Sequence, residues 1–185
     1  GKTYCSQACF ENTMPPCEIC GHKSTAFLTI DNHVFCQRHA NGHRCFECAL
    51  PVGDRVRPLK DGRHICTTCD DRMVVKLSEA KRMYDRARLQ IQDITGHRVS
   101  QVPELSLVDK EALYRQMDSE VNTHGAKAVR GFYSRETVTD VYKNFFGKEV
   151  DRKESVSEQI HILSHQRPDN FMATAIHELT HDLIA

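Results

Sequence analysis

Phe171-Met-Ala-Thr-Ala-Ile-His177-Glu178-Leu-Thr-His181-Asp-Leu-Ile-Ala185 is an H-E-x-x-H segment inside a helical pattern. Four residues apart on a helix, His177 and His181 lie on one face, one turn above the other. Two imidazoles so placed can share one zinc ion, and Glu178 between them can act as general base on zinc-bound water. Phe171, Ala175, Leu179 and Leu183 recur every four residues. That stripe predicts one buried side, with both His facing a cleft. Pro168-Asp169-Asn170 predicts the helix start, with Asp169 or Asn170 as cap.

A catalytic zinc needs a third protein ligand and an open fourth position. The extended form H-E-x-x-H-x-x-G-x-x-H is disfavoured, because Ile184 stands at its glycine position. The other common solution is a Glu from a later helix, expected after Ala185. Upstream, Glu136, Glu154 and Glu158 are further carboxylates for that role, with no spacing that selects among them.

All nine Cys precede residue 70, and seven of them fall into C-x-x-C or C-x-x-H pairs. Such clustering fits metal-binding thiolates in a reducing, cytoplasmic compartment better than disulfides. Cys17-x-x-Cys20 with Cys36-x-x-His39 makes one set of four ligands. Cys45-x-x-Cys48 with Cys66-x-x-Cys69 makes a second. Each set supplies the two knuckles of a closed tetrahedral structural zinc site. Ala26 to Ile30 and Val34-Phe35 predict strands joined at Asp31-Asn32. Val52-Gly53-Asp54 and Lys60 to Arg63 predict turns between further strands. Two such modules in tandem form a LIM-like arrangement. It departs from the usual LIM pattern in ending its first module Cys-x-x-His, and in spacing the modules by Ala40 to Arg44. Cys5 and Cys9 are left over. Gly1 to Cys5 echoes Gly62 to Cys66, so both are expected to close a preceding module and hold a further zinc whose other ligands lie before Gly1. His22, His33, His43 and His64 are read as surface or turn residues.

The formal net charge is zero, which gives no bulk attraction to nucleic acid or anionic membrane. No apolar run approaches the roughly 20 residues that span a bilayer, and no signal peptide is visible. Met73, Leu77, Ala80, Tyr84, Ala87, Ile91 and Ile94 predict an amphipathic helix ended by Gly96. It carries Lys76, Lys81, Arg82, Arg86 and Arg88 outward, and joins the zinc region to the catalytic region or packs into the latter. Val102 to Val108 reads as extended, and Asp109 caps a helix through Met117. Asn122 to Ala126 reads as a loop, Val129 to Tyr133 as a strand, and Ser157 to His165 as another. Glu136 to Tyr142 fits no single element. An antiparallel sheet beside the motif helix, with an edge strand for substrate backbone, is expected. His161 and His165 would stand about 13 Å apart on a strand, too far to share a metal.

These segments together resemble one family: the LIM-domain-containing, ubiquitin-activated zinc peptidases that restrict organ growth in plants, with their bacterial relatives. Cys17 to Cys69 is similar to the family's LIM-like module. Val102 to Leu113, Arg130 to Val138 and Ile160 to His181 are similar to its peptidase segments in order. The resemblance implies His177 and His181 as zinc ligands, Glu178 as general base, and a Glu ligand beyond Ala185. Leu179-Thr180 instead look like the thermolysin-type motif. The expected architecture is α+β: a small zinc-ribbon or LIM-like module followed by a truncated zincin domain of gluzincin type. By residue, 1–15 is the tail of a preceding LIM module, 16–70 the LIM-like double zinc module, 71–96 a linking helix, and 97–185 the N-terminal part of the peptidase domain. The expected cofactors are two structural Zn2+ and one catalytic Zn2+. The expected partners are protein substrates, and ubiquitin or ubiquitinated regulators through regions outside this chain; neither nucleic acid nor membrane is expected. The expected activity is a zinc metalloendopeptidase, with the segment inactive alone. The competing expectation is a non-enzymatic LIM-type adaptor with a remnant peptidase helix.

Overall fold

The computed structural model describes residues 3–54, 56, 58–97, 102–117, 129–143, 145–146 and 149–184. The chain forms two compact units, Gly1–Arg72 and Met73–Ala185.

The first unit has little regular structure. Its helix α1 (Gln7–Glu11) starts where the Ser6 hydroxyl accepts from the Cys9 N–H. Strands β1 (Phe27–Ile30) and β2 (His33–Cys36) form an antiparallel hairpin with Ile30 opposite His33. Asp31 and Asn32 turn it with φ of 48° and 65°, the left-handed pair that a tight two-residue hairpin requires. Single helical turns follow the second knuckles: α2 (Gln37–Ala40) after Cys36, and α3 (Thr67–Asp70) after Cys66. The strands expected in the second module are absent among the described residues. Isolated bridges such as Cys45 with His64 and Arg44 with Pro51 stand in their place. Arg63, buried against Asp61 and over the Phe46 ring, fills the space beneath them.

In the second unit, α4 (Leu77–Thr95) ends at Gly96, whose φ of 72° and N–H to the Gln92 carbonyl close the last turn. Its buried face is Ala80, Tyr84, Ala87 and Ile91. Leu77 and Ile94, expected in the stripe, are exposed. Strand β3 (Glu104–Val108) precedes α5 (Lys110–Met117), which the Asp109 carboxylate caps through the Ala112 N–H. Strands β4 (Gly131–Lys143) and β5 (Glu149–Leu163) form a long antiparallel pair. Glu136 to Tyr142, unresolved by pattern, belongs to β4. The loop expected over residues 122–126 lies outside the described residues.

Strand order is β3-β5-β4, with β3 parallel to β5. The sheet is therefore mixed rather than antiparallel, and β4 is an edge strand. Helix α6 (Pro168–Ile184) carries the motif. Pro168 occupies its first helical position, where a missing N–H costs nothing, so Asp169 and Asn170 stand inside the helix rather than at its cap. Phe171, Ala175 and Leu179 are fully buried and meet Val74, Tyr84, Ile91, Leu105, Ile160 and Ile162 in one core. Burying a side chain the size of Phe171 or Leu179 contributes about 1.5–3 kcal/mol. The helix expected to link two regions thus contributes its apolar face to the same core as α6. Helix α5 packs on β4 and β5 with Leu113 and Met117 buried apart from that core.

Candidate functional site

Two sets of ligands converge in the first unit. Ligand atoms of Cys17, Cys20, Cys36 and His39 all lie within 4.8 Å of one another, and so do those of Cys45, Cys48, Cys66 and Cys69. The His39 Nδ1 stands 3.4 Å from the Cys17 Sγ and 3.3 Å from the Cys36 Sγ. The Cys48 and Cys66 sulfurs are 3.8 Å apart. Two thiolates on a zinc tetrahedron with Zn–S about 2.3 Å stand roughly that far apart. The hairpin positions the first set: β2 ends at Cys36, and α2 turns His39 back toward the Cys17 knuckle.

The thiols of each set hold unequal acidities. Burial opposes ionisation of Cys17, yet backbone N–H groups of Cys36, Cys20 and Ile19, with His39, bring it down to about 6. At Cys45, burial is likewise outweighed by N–H groups of Cys48, Cys66 and Glu47, which lower its pKa. Burial pushes Cys48 up to about 11, with Cys45 beside it adding to the rise. Burial and the neighbouring sulfurs of Cys66 and Cys45 push Cys69 up further. Packed thiolates repel, so full ionisation needs a cation among them. The donor set and spacing fit a divalent metal.

Cys5 and Cys9 are exposed and belong to neither converging set. Contact with Cys5 is the main cause holding the Cys9 thiol below its ordinary range. The remaining imidazoles have other neighbours: His33 meets the Glu18 carboxylate at 2.7 Å, and the His43 and His64 rings stack at 4.2 Å.

In the second unit, His177 and His181 bring their rings edge to face, with centroids 5.1 Å apart. That separation allows both imidazoles to reach one ion at about 2.0–2.1 Å. Glu178 is 6 % exposed. Its Oε2 lies 4.0 Å from the His181 Nε2. Burial raises its pKa, while His177, His181 and the Tyr133 backbone N–H work the other way. Among the described residues no third His, Cys, Asp or Glu completes a converging set here. Glu136 and Glu154 lie on the exposed part of the β4–β5 pair. The Glu158 side chain is 8 % exposed, accepts from the Tyr133 hydroxyl at 3.2 Å, and stands 3.6 Å from Arg135.

A cleft of about 390 Å³ opens beside this face, between Val129 to Gly131 and the helix side bearing Ala173, Thr174, His177 and Glu178. Sequence reasoning passed over several residues that shape it. Tyr133 stacks on the His181 ring with centroids 6.2 Å apart. Gly131 lies so close to α6 that a Cβ there would meet Thr174 and Glu178. Gln166, fully buried, accepts from the Arg130 guanidinium at 3.3 Å and from the Thr174 hydroxyl at 3.4 Å. A Gly opening a strand that faces the motif helix was the one signal available for this close approach. His161 and His165 stay apart from the site: His161 alternates to the face opposite Ile160, and His165 lies past the end of β5. Among the described residues no helix is long and apolar enough to cross a membrane. No family model, curated protein or solved structure matches this chain.

Proposed function

We propose that this chain carries the active helix of a zinc metalloendopeptidase, joined to two structural zinc sites of LIM type. One observation carries the reading: two imidazoles one helical turn apart approach each other edge to face, with the buried Glu178 carboxylate beside them and a cleft lined by His177 and Glu178. His177 and His181 would hold the ion, and a third ligand would come from outside the described residues. Zinc, when bound there, activates water toward about neutral pH and polarises a carbonyl as a Lewis acid. Glu178 takes the proton from the attacking water and passes it to the leaving amine. The exposed edge of β4 offers backbone groups to an extended substrate. The Cys17 to Cys69 sites hold zinc as fold elements and present a surface for protein partners.

The test is cleavage of a peptide panel by the full-length protein loaded with zinc, against Glu178→Gln. Loss of cleavage with zinc retained supports the assignment; equal cleavage rejects it.

A second reading is a protein-binding adaptor without catalysis. It is favoured by a contrast among the described residues: eight Cys and His ligands converge in two sets in the first unit, whereas in the second the His177–His181 pair gains no third ligand. Absence of cleavage by either protein, with partner capture unchanged by Glu178→Gln, would select it.

A further inference from the structure

Gln166 stands at the junction where β5 ends, β4 begins and α6 starts, and its side chain is fully buried. We propose that Gln166 is a positioning residue for Glu178: it pins the start of β4 against α6 and so fixes the carboxylate that lies on that strand. The inference rests on the peptidase reading for the role of Glu178, but the link from residue 166 to residue 178 does not.

The amide of Gln166 forms a clamp. Its Nε2 donates to the Arg130 carbonyl at 3.2 Å and to the Leu163 carbonyl at 3.0 Å. Its Oε1 accepts from the Arg130 guanidinium at 3.3 Å, with the Thr174 hydroxyl of α6 at 3.4 Å. The Leu163 N–H reaches the same Arg130 carbonyl at 2.9 Å, and the Gln166 carbonyl accepts from the Val74 N–H at 2.9 Å. Just before Gln166, His165 has a φ of 56°, in the left-handed region that a residue with a side chain seldom adopts. Such a turn persists where its surroundings over-determine it. A buried amide is costly unless its donors and acceptor are used. Fully used, it selects one arrangement of the segments it joins, which an apolar side chain of similar size cannot do.

The segment pinned in this way is the one that touches Glu178. Gly131 directly follows the clamped Arg130 carbonyl, and its backbone lies so near α6 that a Cβ there would stand 2.8 Å from the Glu178 Oε1. Two residues further on, the Tyr133 N–H hydrogen-bonds to the Glu178 carboxylate. Both contacts fall within three residues of the clamp, so a small slide of the strand changes them together. Misplacing a reacting group by about 1 Å costs on the order of a hundredfold in rate.

The test compares the zinc-loaded full-length protein with two variants. Gln166→Met keeps the length of the side chain and none of its hydrogen bonds; Gln166→Glu keeps an acceptor and loses both Nε2 donors. Leu113→Ala, fully buried on α5 and apart from this junction, is the control for lost stability alone. In both Gln166 variants kcat should fall roughly ten- to hundredfold with KM within about twofold and zinc content unchanged, whereas Leu113→Ala keeps its kcat. A kcat that holds, that falls only with zinc content, or that falls no further than in Leu113→Ala overturns the proposal. A second readout needs no cleavage. The Tyr133 amide resonance should move when Glu178→Gln is introduced, and move at most roughly half as far when Gln166→Met is already present. Equal movement in the two backgrounds overturns the link. Should neither Gln166 variant fold, Glu178→Gln alone should shift the Gln166 side-chain amide resonances, and unmoved resonances overturn it. A parent that cleaves nothing while these resonances respond keeps the link and loses the peptidase reading.

Discussion

Gly131 faces Glu178 across a gap between strand and motif helix that has no room for a Cβ. A Cβ at residue 131 would stand 2.8 Å from the Glu178 Oε1, 2.9 Å from its Cγ and 2.6 Å from the Thr174 Cγ2. All three atoms belong to buried side chains that have little room to move. Gly131→Ala is therefore expected to destabilise the protein by about 1–3 kcal/mol, as overpacking does. It should also displace the Glu178 carboxylate from the Tyr133 N–H. Urea unfolding measures the first effect, and under the proposed peptidase reading the cleavage rate measures the second. A variant as stable and as active as the parent would show that the gap opens freely.

Metal removal should act unevenly on the two units. The first has short strands and single-turn helices around eight converging ligands, whereas the second has a continuous apolar core. Chelation is expected to unfold residues 3–72 while the core around Phe171 and Ile160 persists, because a ligand-rich segment gains its folding free energy from the metal. Amide exchange before and after chelation distinguishes the units. Cys17→Ser and Cys45→Ser should each lower the structural metal content by one ion per chain. Uptake should weaken as pH falls, since thiols such as Cys48, held up at about 11, must shed their protons to bind.

The parts of this fold that were legible in the chain are those in which residue type dictates local chemistry. Cys and His spacing named both ligand sets, because a tetrahedral site needs those atoms in pairs. Asp31-Asn32, Gly96 and Asp109 each announced a turn or a cap through their own backbone or side-chain preferences. What stayed hidden depends on contacts between distant segments. The β4–β5 pair runs far past its buried end, and residues 135–142 are exposed, so no alternation of apolar and polar marked them as strand. The parallel pairing of β3 with β5 follows from the core they share with α4 and α6. The Gln166 clamp joins residues 36 positions apart, which no local pattern encodes.

His161 is 4 % exposed, and neither ring nitrogen has a hydrogen-bond partner among the described residues. Burial lowers its pKa below that of a free imidazole. The folded state then binds a proton less readily than the unfolded chain, whose His titrates near about 6.5. Stability from this group is present above that pH and is lost as pH falls through the folded-state value. Urea midpoints measured between about pH 8 and 5 should drop less steeply for His161→Phe than for the parent. Parallel profiles would assign the acid sensitivity to other groups.

Tyr133 and Glu158 form a pair whose disruption should cost more than one ordinary hydrogen bond. The Tyr133 hydroxyl donates to the Glu158 Oε1, Arg135 is 3.6 Å away, and the Glu158 Oε2 is buried without a partner among the described residues. Tyr133→Phe leaves a buried carboxylate short of its closest donor, and such a loss costs about 1–3 kcal/mol. Glu158→Gln in the same background should recover part of that loss, because an uncharged amide is cheaper to leave underbonded. The tyrosine ring also lies on His181, and Phe preserves that stacking. Tyr133→Phe should therefore lower stability while leaving metal affinity at His177 and His181 near the parent value. A double-mutant cycle on unfolding, run beside a zinc titration, separates the two effects. If the Phe variant instead loses zinc with its stability intact, the hydroxyl acts on the metal site rather than on Glu158.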